Sequence, residues 1–280
     1  MTDTIPEEFQ GLNEKDIIEC LADIKPEKPE YIWKPYIPKN AITLVQGASC
    51  SGKSTLMWHL AARLSRGKLP DGIKGKTRIP KKIIYQDLVD FNYNVTCMNL
   101  GWSDVAEDKV VYIDMLKANE AEGKDAYDTT IPSMELFEYA IEKTGADILF
   151  IDPVTFLFHY GTDDPDSERA YNEEIIAGLK KIVEMGCTVI LTDNSSYDFE
   201  SEYDNGMEKL PKIATSILYV ERPDFGPVST IEQLLNMYGP LGKSITVKKP
   251  GKKFQFSTDI KRHAVTKNRI VTAYLSHKTR

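Results

Sequence analysis

The sequence predicts an α/β fold: a mostly parallel central sheet flanked by helices, with antiparallel strands at its C-terminal edge. Three observations point there. From Ala41 onward, short apolar runs of strand length alternate with segments whose apolar residues recur at helical spacing, the pattern of βαβ units. The first run ends at Gly47 in a glycine-bracketed segment that opens directly into a helical pattern. After Glu221 the alternation stops, and short β-like runs succeed one another closely, which suits antiparallel pairing.

Residues 1–30 read as an N-terminal arm and linker, and 31–280 as a single α/β domain. Ile17, Ile18, Leu21 and Ile24 predict a short amphipathic helix over Asn13–Ala22, and Lys25–Glu30 is a charged, proline-containing linker. Ala41–Gln46 is the first strand of the domain. Lys53–Ser65 then carries Leu56, Leu60, Ala61 and Leu64 on one helical face. A strand over Ile83–Gln86 precedes a helical pattern over Val95–Leu100. Val110–Ile113 reads as a strand and Ser133–Lys143 as a helix. Asp147–Ile151 is a buried strand, Ala170–Met185 a helix, and Thr188–Leu191 and Ser216–Val220 two further strands. The edge runs are Ser244–Val247, Phe254–Ser257, His263–Thr266 and Ile270–Tyr274.

Composition narrows the class. With 41% hydrophobic and 28% charged residues, the chain is neither disordered nor fibrous. No apolar run approaches the ~20 residues of a spanning helix. The acidic N-terminus MTDTIPEEFQ lacks the basic and apolar regions of a secretory signal, so a cytoplasmic protein without membrane association is expected. Cys20, Cys50, Cys97 and Cys187 match neither a zinc pattern nor a disulfide framework and read as reduced thiols. The net charge of −7 conceals an asymmetry: residues 241–280 hold 11 Lys/Arg against one acid, Asp259. That end is a candidate anion-binding surface, with a solvated lysine-rich edge as the competing reading.

The segment Gly47, Ala48, Ser49, Cys50, Ser51, Gly52, Lys53, Ser54, then Thr55, matches G-x-x-x-x-G-K-[ST]. Glycines let backbone N–H groups curl round a phosphate, and the N-terminus of the next helix adds its dipole. Lys53 is expected to reach the β- and γ-phosphates of ATP, and the Ser54 hydroxyl to ligate Mg²⁺. Cys50, at the crown of the loop, is either a plain small side chain or an oxidation-sensitive thiol. The second half of such a site is an acid ending a buried strand. Asp147-Ile148-Leu149-Phe150-Ile151-Asp152 supplies it about 100 residues later, with Asp152 expected on the Mg²⁺ side opposite Ser54.

The stretch WKPYIPKN (Trp33–Asn40), ITLVQGASCSGKST, the helix LMWHLAARLSRG, the strand start Ile83-Ile84-Tyr85 and LFIDPVTFLF together resemble RecA-like P-loop ATPases of the plasmid replicative-helicase (RepA-like) type, the AAA_25 family. The resemblance covers roughly residues 31–270. It implies a RecA-like P-loop NTPase core, ATP and Mg²⁺ as ligands, single-stranded DNA as a partner and a homo-oligomeric, hexamer-like ring. TVILTDN (Thr188–Asn194) resembles the strand ending in the polar sensor, and SILYVER (Ser216–Arg222) the strand after it. Val265-Thr266-Lys267-Asn268-Arg269 resembles the Lys-x-Arg element such rings insert into a neighbour's site, giving Lys267 and Arg269 a trans-acting role.

Two departures stand out. The family places a water-activating glutamate where Val89 stands here, flanked by Asp87 and Asp90. Either shorter acid can serve if it reaches the water; the alternative is slow hydrolysis. The family also tends to have histidine where Asp193-Asn194 stand, and Asn194 is either the sensor or an ordinary turn residue. Trp33 and Tyr36 either stack on adenine or pack the N-terminal arm against the core. The two segments corresponding to DNA-binding loops, His159–Glu174 and Ser195–Lys212, are acidic, which opposes phosphate binding there. The leading expectation is therefore a helicase-like DNA-dependent ATPase in replication, recombination or repair. A nucleotide-driven switch or clamp acting on a protein partner is the alternative. A small-molecule kinase ranks third, because 157–212 offers only Arg169 to an arginine-rich lid.

Overall fold

The computed structural model describes residues 25, 27–69, 79–89, 93–121, 123, 134–159, 164–194, 209–222, 226, 228–248 and 255–257. The chain divides into two units, Met1–Glu30 and Tyr31–Arg280, and the described strands and helices all belong to the second.

Its elements in chain order are β1 (Tyr31–Trp33), β2 (Ile37–Pro38), β3 (Ile42–Gly47), α1 (Lys53–Ser65), β4 (Ile83–Asp87), α2 (Asn94–Trp102), β5 (Val110–Val111), α3 (Met115–Ala121), α4 (Met134–Thr144), β6 (Ile148–Asp152), α5 (Pro165–Glu184), β7 (Thr188–Asn194), α6 (Leu210–Ile213), β8 (Ser216–Glu221), β9 (Val228–Asn236), β10 (Ile245–Lys248) and β11 (Gln255–Ser257). The nine-stranded sheet has the order β11-β10-β9-β8-β3-β7-β6-β4-β5. The pairs linking β8, β3, β7, β6, β4 and β5 are parallel. The pairs linking β8, β9, β10 and β11 are antiparallel. This is the RecA-like P-loop NTPase fold: a mostly parallel sheet flanked by helices, with antiparallel C-terminal edge strands.

The period of two along each strand sorts its side chains onto two faces. From β6, Leu149 and Ile151 join a core with Phe137 and Ile141 of α4 and Ile175, Leu179 and Ile182 of α5. Its Ile148 and Phe150 join the opposite core with Leu56, Met57, Leu60 and Leu64 of α1. Both faces are therefore covered, which is why the parallel strands read as continuous apolar runs. Fully burying each large side chain contributes about 1.5–3 kcal/mol.

Helix boundaries follow from local chemistry. α1 ends where Gly67, at φ 65°, takes the left-handed position: its N–H bonds Leu64 O and the Lys68 N–H bonds Arg63 O. α5 begins at Pro165, five residues before the apolar periodicity indicates, because Asp164 caps it by accepting from the Ser167 N–H. The capping Asp and the N1 proline were the available signals. Asp166 and Glu168 then occupy the first turn, where acids complement the helix dipole. Much of the acidity assigned to the first DNA-loop candidate thus belongs to a helix start.

The hairpin β1–β2 packs Trp33 and Tyr36 into the core on the α1 side, at 1% and 5% exposure. Tyr36 donates to Lys243 O at 2.7 Å and its backbone oxygen accepts from Ser216 Oγ. Gln233 of β9 donates to Pro35 O. Trp33 and Tyr36 are thus core side chains of the second unit. The helix expected over Asn13–Ala22 and the strands expected over His263–Thr266 and Ile270–Tyr274 lie outside the described residues.

Candidate functional site

The site is assembled at the C-terminal ends of β3, β7, β6 and β4, four neighbours in the sheet. β3 runs into the phosphate loop, and α1 leaves it. Cys50 and Gly52 lie in the left-handed region, at φ 63° and 99°. That sequence of conformations turns the loop back on itself: the Ser51 N–H bonds Ala48 O at 3.1 Å and the Leu56 N–H bonds Gly52 O at 2.9 Å. Ala48, Ser49 and Cys50 are exposed, while Ser54 and Thr55 are half-buried in the first turn of α1. A Cβ on Gly47 would sit 2.3 Å from the carbonyl oxygen of Val220 on β8, so only glycine fits between the loop and that strand. Ser229 of β9 donates to Ser51 O at 3.0 Å, so an antiparallel strand supports the loop as well.

Lys53 is 6% exposed. Its ammonium donates to Gly47 O at 2.7 Å and Ala48 O at 3.0 Å, folding the side chain over its own loop. Burial lowers its pKa, opposed by the nearby charges of Asp152 and Asp193. Asp152, the last residue of β6, accepts from Ser54 Oγ at 3.2 Å, so the two residues expected around Mg²⁺ are in direct contact. Burial raises the Asp152 pKa, and hydrogen bonds from Thr192, Tyr85 and Ser54 oppose the rise.

Asp87 ends β4 and is the register partner of Asp152. Its Oδ1 accepts from the Val89 N–H at 2.8 Å and its Oδ2 from Thr96 Oγ1 at 2.6 Å, tying the strand end to α2. Val89, where the glutamate was expected, is 64% exposed. Asn194 ends β7 as the register partner of Gly47 and is half-buried. Asp90, Lys267 and Arg269 lie outside the described residues, as do residues 160–163 and 195–208 of the acidic segments.

Three residues of the site were not picked out from sequence. Tyr85 donates to Asp152 Oδ2 at 2.9 Å, and Thr192 Oγ1 donates to Asp152 Oδ1. Asp193, 6% exposed, accepts from Gln46 Nε2 at 3.2 Å; its Oδ1 is buried with no hydrogen-bond partner, and burial raises its pKa. The signal was present: a polar residue at the C-terminal end of an otherwise apolar strand, as in TVILTDN, marks the crevice side of a parallel sheet.

A family model described as an AAA domain, AAA_25, matches residues 10–196. The chain belongs to the AAA_25 family. It is thus a P-loop NTPase of a family whose members bind nucleotide, and the matched span runs from before β1 to the end of β7. No curated protein matches the chain. No helix among the described residues is long and apolar enough to cross a membrane.

The residues fit a magnesium nucleotide. Mg²⁺ keeps several waters and takes one or two protein ligands plus phosphate oxygens, rather than an all-protein cage. A hydroxyl and a carboxylate in contact, Ser54 and Asp152, match that need. Among the described residues no group of three or more His, Cys, Asp or Glu forms a metal cluster. The Ser51 hydroxyl is buried in the loop without a hydrogen-bond partner, an orphan donor of the kind a phosphate oxygen satisfies.

Proposed function

We propose that this AAA_25 protein is a Mg²⁺-dependent ATPase of the RecA-like type, acting on DNA in replication, recombination or repair. The observation that carries the ATP part is the Ser54–Asp152 contact beside a phosphate loop whose lysine already faces the loop carbonyls. Bound Mg²⁺ would neutralise charge on the β- and γ-phosphates. The loop N–H groups from Ala48 to Ser54 would hold the phosphates, Lys53 would exchange its carbonyl partners for phosphate oxygens, and Thr55 would complete the helix N-terminus. Asn194, level with Gly47 on the sheet, would orient a water or a γ-phosphate oxygen. The water-activating acid in this reading is Asp90, or Asp87 once Thr96 releases it.

The basic stretch 241–280 supports the DNA part; the acidic candidate loops oppose it. Ring assembly, with Lys267 and Arg269 acting in a neighbour's site, is part of the same proposal. Lys53→Ala is expected to lower turnover by about 10²–10³-fold, with weakened ATP binding and an unchanged fold by circular dichroism. Unchanged affinity and turnover in a nucleotide titration would sink the site. For the DNA part, single-stranded DNA is expected to raise wild-type turnover, with the stimulation fading as salt increases. For the ring, Arg269→Ala is expected to bind ATP yet hydrolyse poorly, and light scattering with ATP and Mg²⁺ to show an oligomer.

A second reading, a nucleotide-driven switch with slow hydrolysis and a protein partner, is favoured by one observation. Both Asp87 oxygens are engaged within the strand end and α2, and an exposed valine stands at the glutamate position. Single-turnover kinetics separate the two: the switch binds ATP tightly and releases phosphate slowly with or without DNA.

A further inference from the structure

The Asp152 carboxylate is held by three hydroxyls from three different elements. Ser54 comes from α1 and Thr192 from β7, both donating to Oδ1; Tyr85 comes from β4 and donates to Oδ2. Asp152 is 4% exposed, Tyr85 1% and Thr192 fully buried. Neither Tyr85 nor Thr192 belongs to the phosphate loop. Each sits on a strand flanking β6, so three adjacent strands converge on one carboxylate.

The clamp is stiff. The Tyr85 ring stacks on Phe150, with centroids 5.4 Å apart and planes at 20°, which fixes where its hydroxyl points. Thr192 is β-branched, so its χ1 is restricted. With Oδ1 and Oδ2 each anchored from a different strand, the carboxylate plane cannot turn. That immobility has a consequence for Ser54. A hydroxyl has one proton and two lone pairs; given to Asp152, the proton leaves both lone pairs for another partner. A carboxylate free to rotate would not hold Ser54 in that state.

We infer that Tyr85 and Thr192 are positioning residues that lock Asp152 against Ser54 and so set the divalent-cation requirement of the nucleotide site. The inference rests on the nucleotide-site reading proposed for this chain. Outer partners of metal-binding carboxylates typically contribute about 10–100-fold in metal affinity or activity. A role confined to filling the core would affect nucleotide binding equally with and without the cation.

The test is a fluorescent-ATP titration of the full chain, in EDTA and then across a Mg²⁺ series. Tyr85→Phe and Thr192→Val are each expected to raise the Mg²⁺ concentration for half-maximal binding about 10-fold, with affinity in EDTA altered less than about twofold. Thr192→Ser, which restores the hydroxyl, is expected to return the wild-type Mg²⁺ midpoint. Should Tyr85→Phe fail to fold, the Thr192→Val and Thr192→Ser pair still decides. Unshifted midpoints in variants of a wild type that shows Mg²⁺-dependent binding overturn the clamp alone. Equal losses with and without Mg²⁺ do the same. A wild type with no Mg²⁺-dependent binding overturns the nucleotide site, and the clamp with it.

Discussion

Asp152 and Asp87 are register partners at the ends of neighbouring parallel strands, both buried and both hydrogen-bonded through each carboxylate oxygen, yet their donors come from different places. Asp152 draws its donors from α1, β4 and β7, elements distant in sequence that meet only at the crevice. Asp87 accepts from Val89 and Thr96, both within nine positions of itself. Two acids of the same type at the same level of one sheet therefore differ in where these donors come from. Long-range donors tie one acid to the candidate nucleotide site; the local donors described for the other join β4 to α2.

The sharpest way to break the comparison is Asp152→Asn. An amide presents one acceptor oxygen where three hydroxyls now donate, and it carries no charge toward Mg²⁺. Mg²⁺-dependent ATP binding is expected to weaken about 10–100-fold. A calorimetric titration in which Asp152→Asn and wild type need the same Mg²⁺ would place the acid outside the site.

Asp87→Asn is expected to act on stability instead. Replacing one acceptor oxygen of a buried carboxylate by an amide nitrogen costs about 1–3 kcal/mol, read as a lower urea midpoint, while ATP affinity and kcat stay close to wild type. A kcat reduced about 10²–10⁴-fold at unchanged affinity would instead make Asp87 the water-activating base and end the contrast.

The smallest expected effect comes from a third strand end. Asp193 keeps one buried oxygen without a hydrogen-bond partner, and burial raises its pKa. A carboxyl whose folded pKa lies above its unfolded value favours folding when protonated. That contribution is complete below the unfolded pKa and is lost as pH rises through the folded one. Asp193→Asn, permanently neutral and still able to accept from Gln46, is expected to raise the Tm at pH 8. The gain should disappear as pH falls through the ordinary carboxylate range. Equal Tm differences at pH 8 and at pH 4 would show that Asp193 costs the fold nothing as an anion.

Most parallel strands and α1 were legible because local pattern and tertiary role agree: a strand buried on both faces must be apolar throughout, and a helix on a sheet must carry one apolar stripe. β9 was not legible. Its sequence VSTIEQLLN buries only Ile231 and Gln233, so its apolar pattern is weak, and one of those two side chains is a glutamine satisfied by Pro35 O and Ser216 Oγ. The hairpin β1–β2 was hidden because a three-residue and a two-residue strand carry no period to detect.

What the sequence determined by itself is what adjacent residues can specify: the phosphate loop, whose spacing and glycines define its backbone, and the apolar strand ending in Asp152. Tertiary structure alone decided which groups surround that acid. Tyr85, Thr192 and Ser54 lie 67, 40 and 98 positions from Asp152. Only the strand order β3-β7-β6-β4 brings them together. A hydroxyl in a strand has no local mark of its partner, because its hydrogen bond is chosen by whichever strand packs beside it.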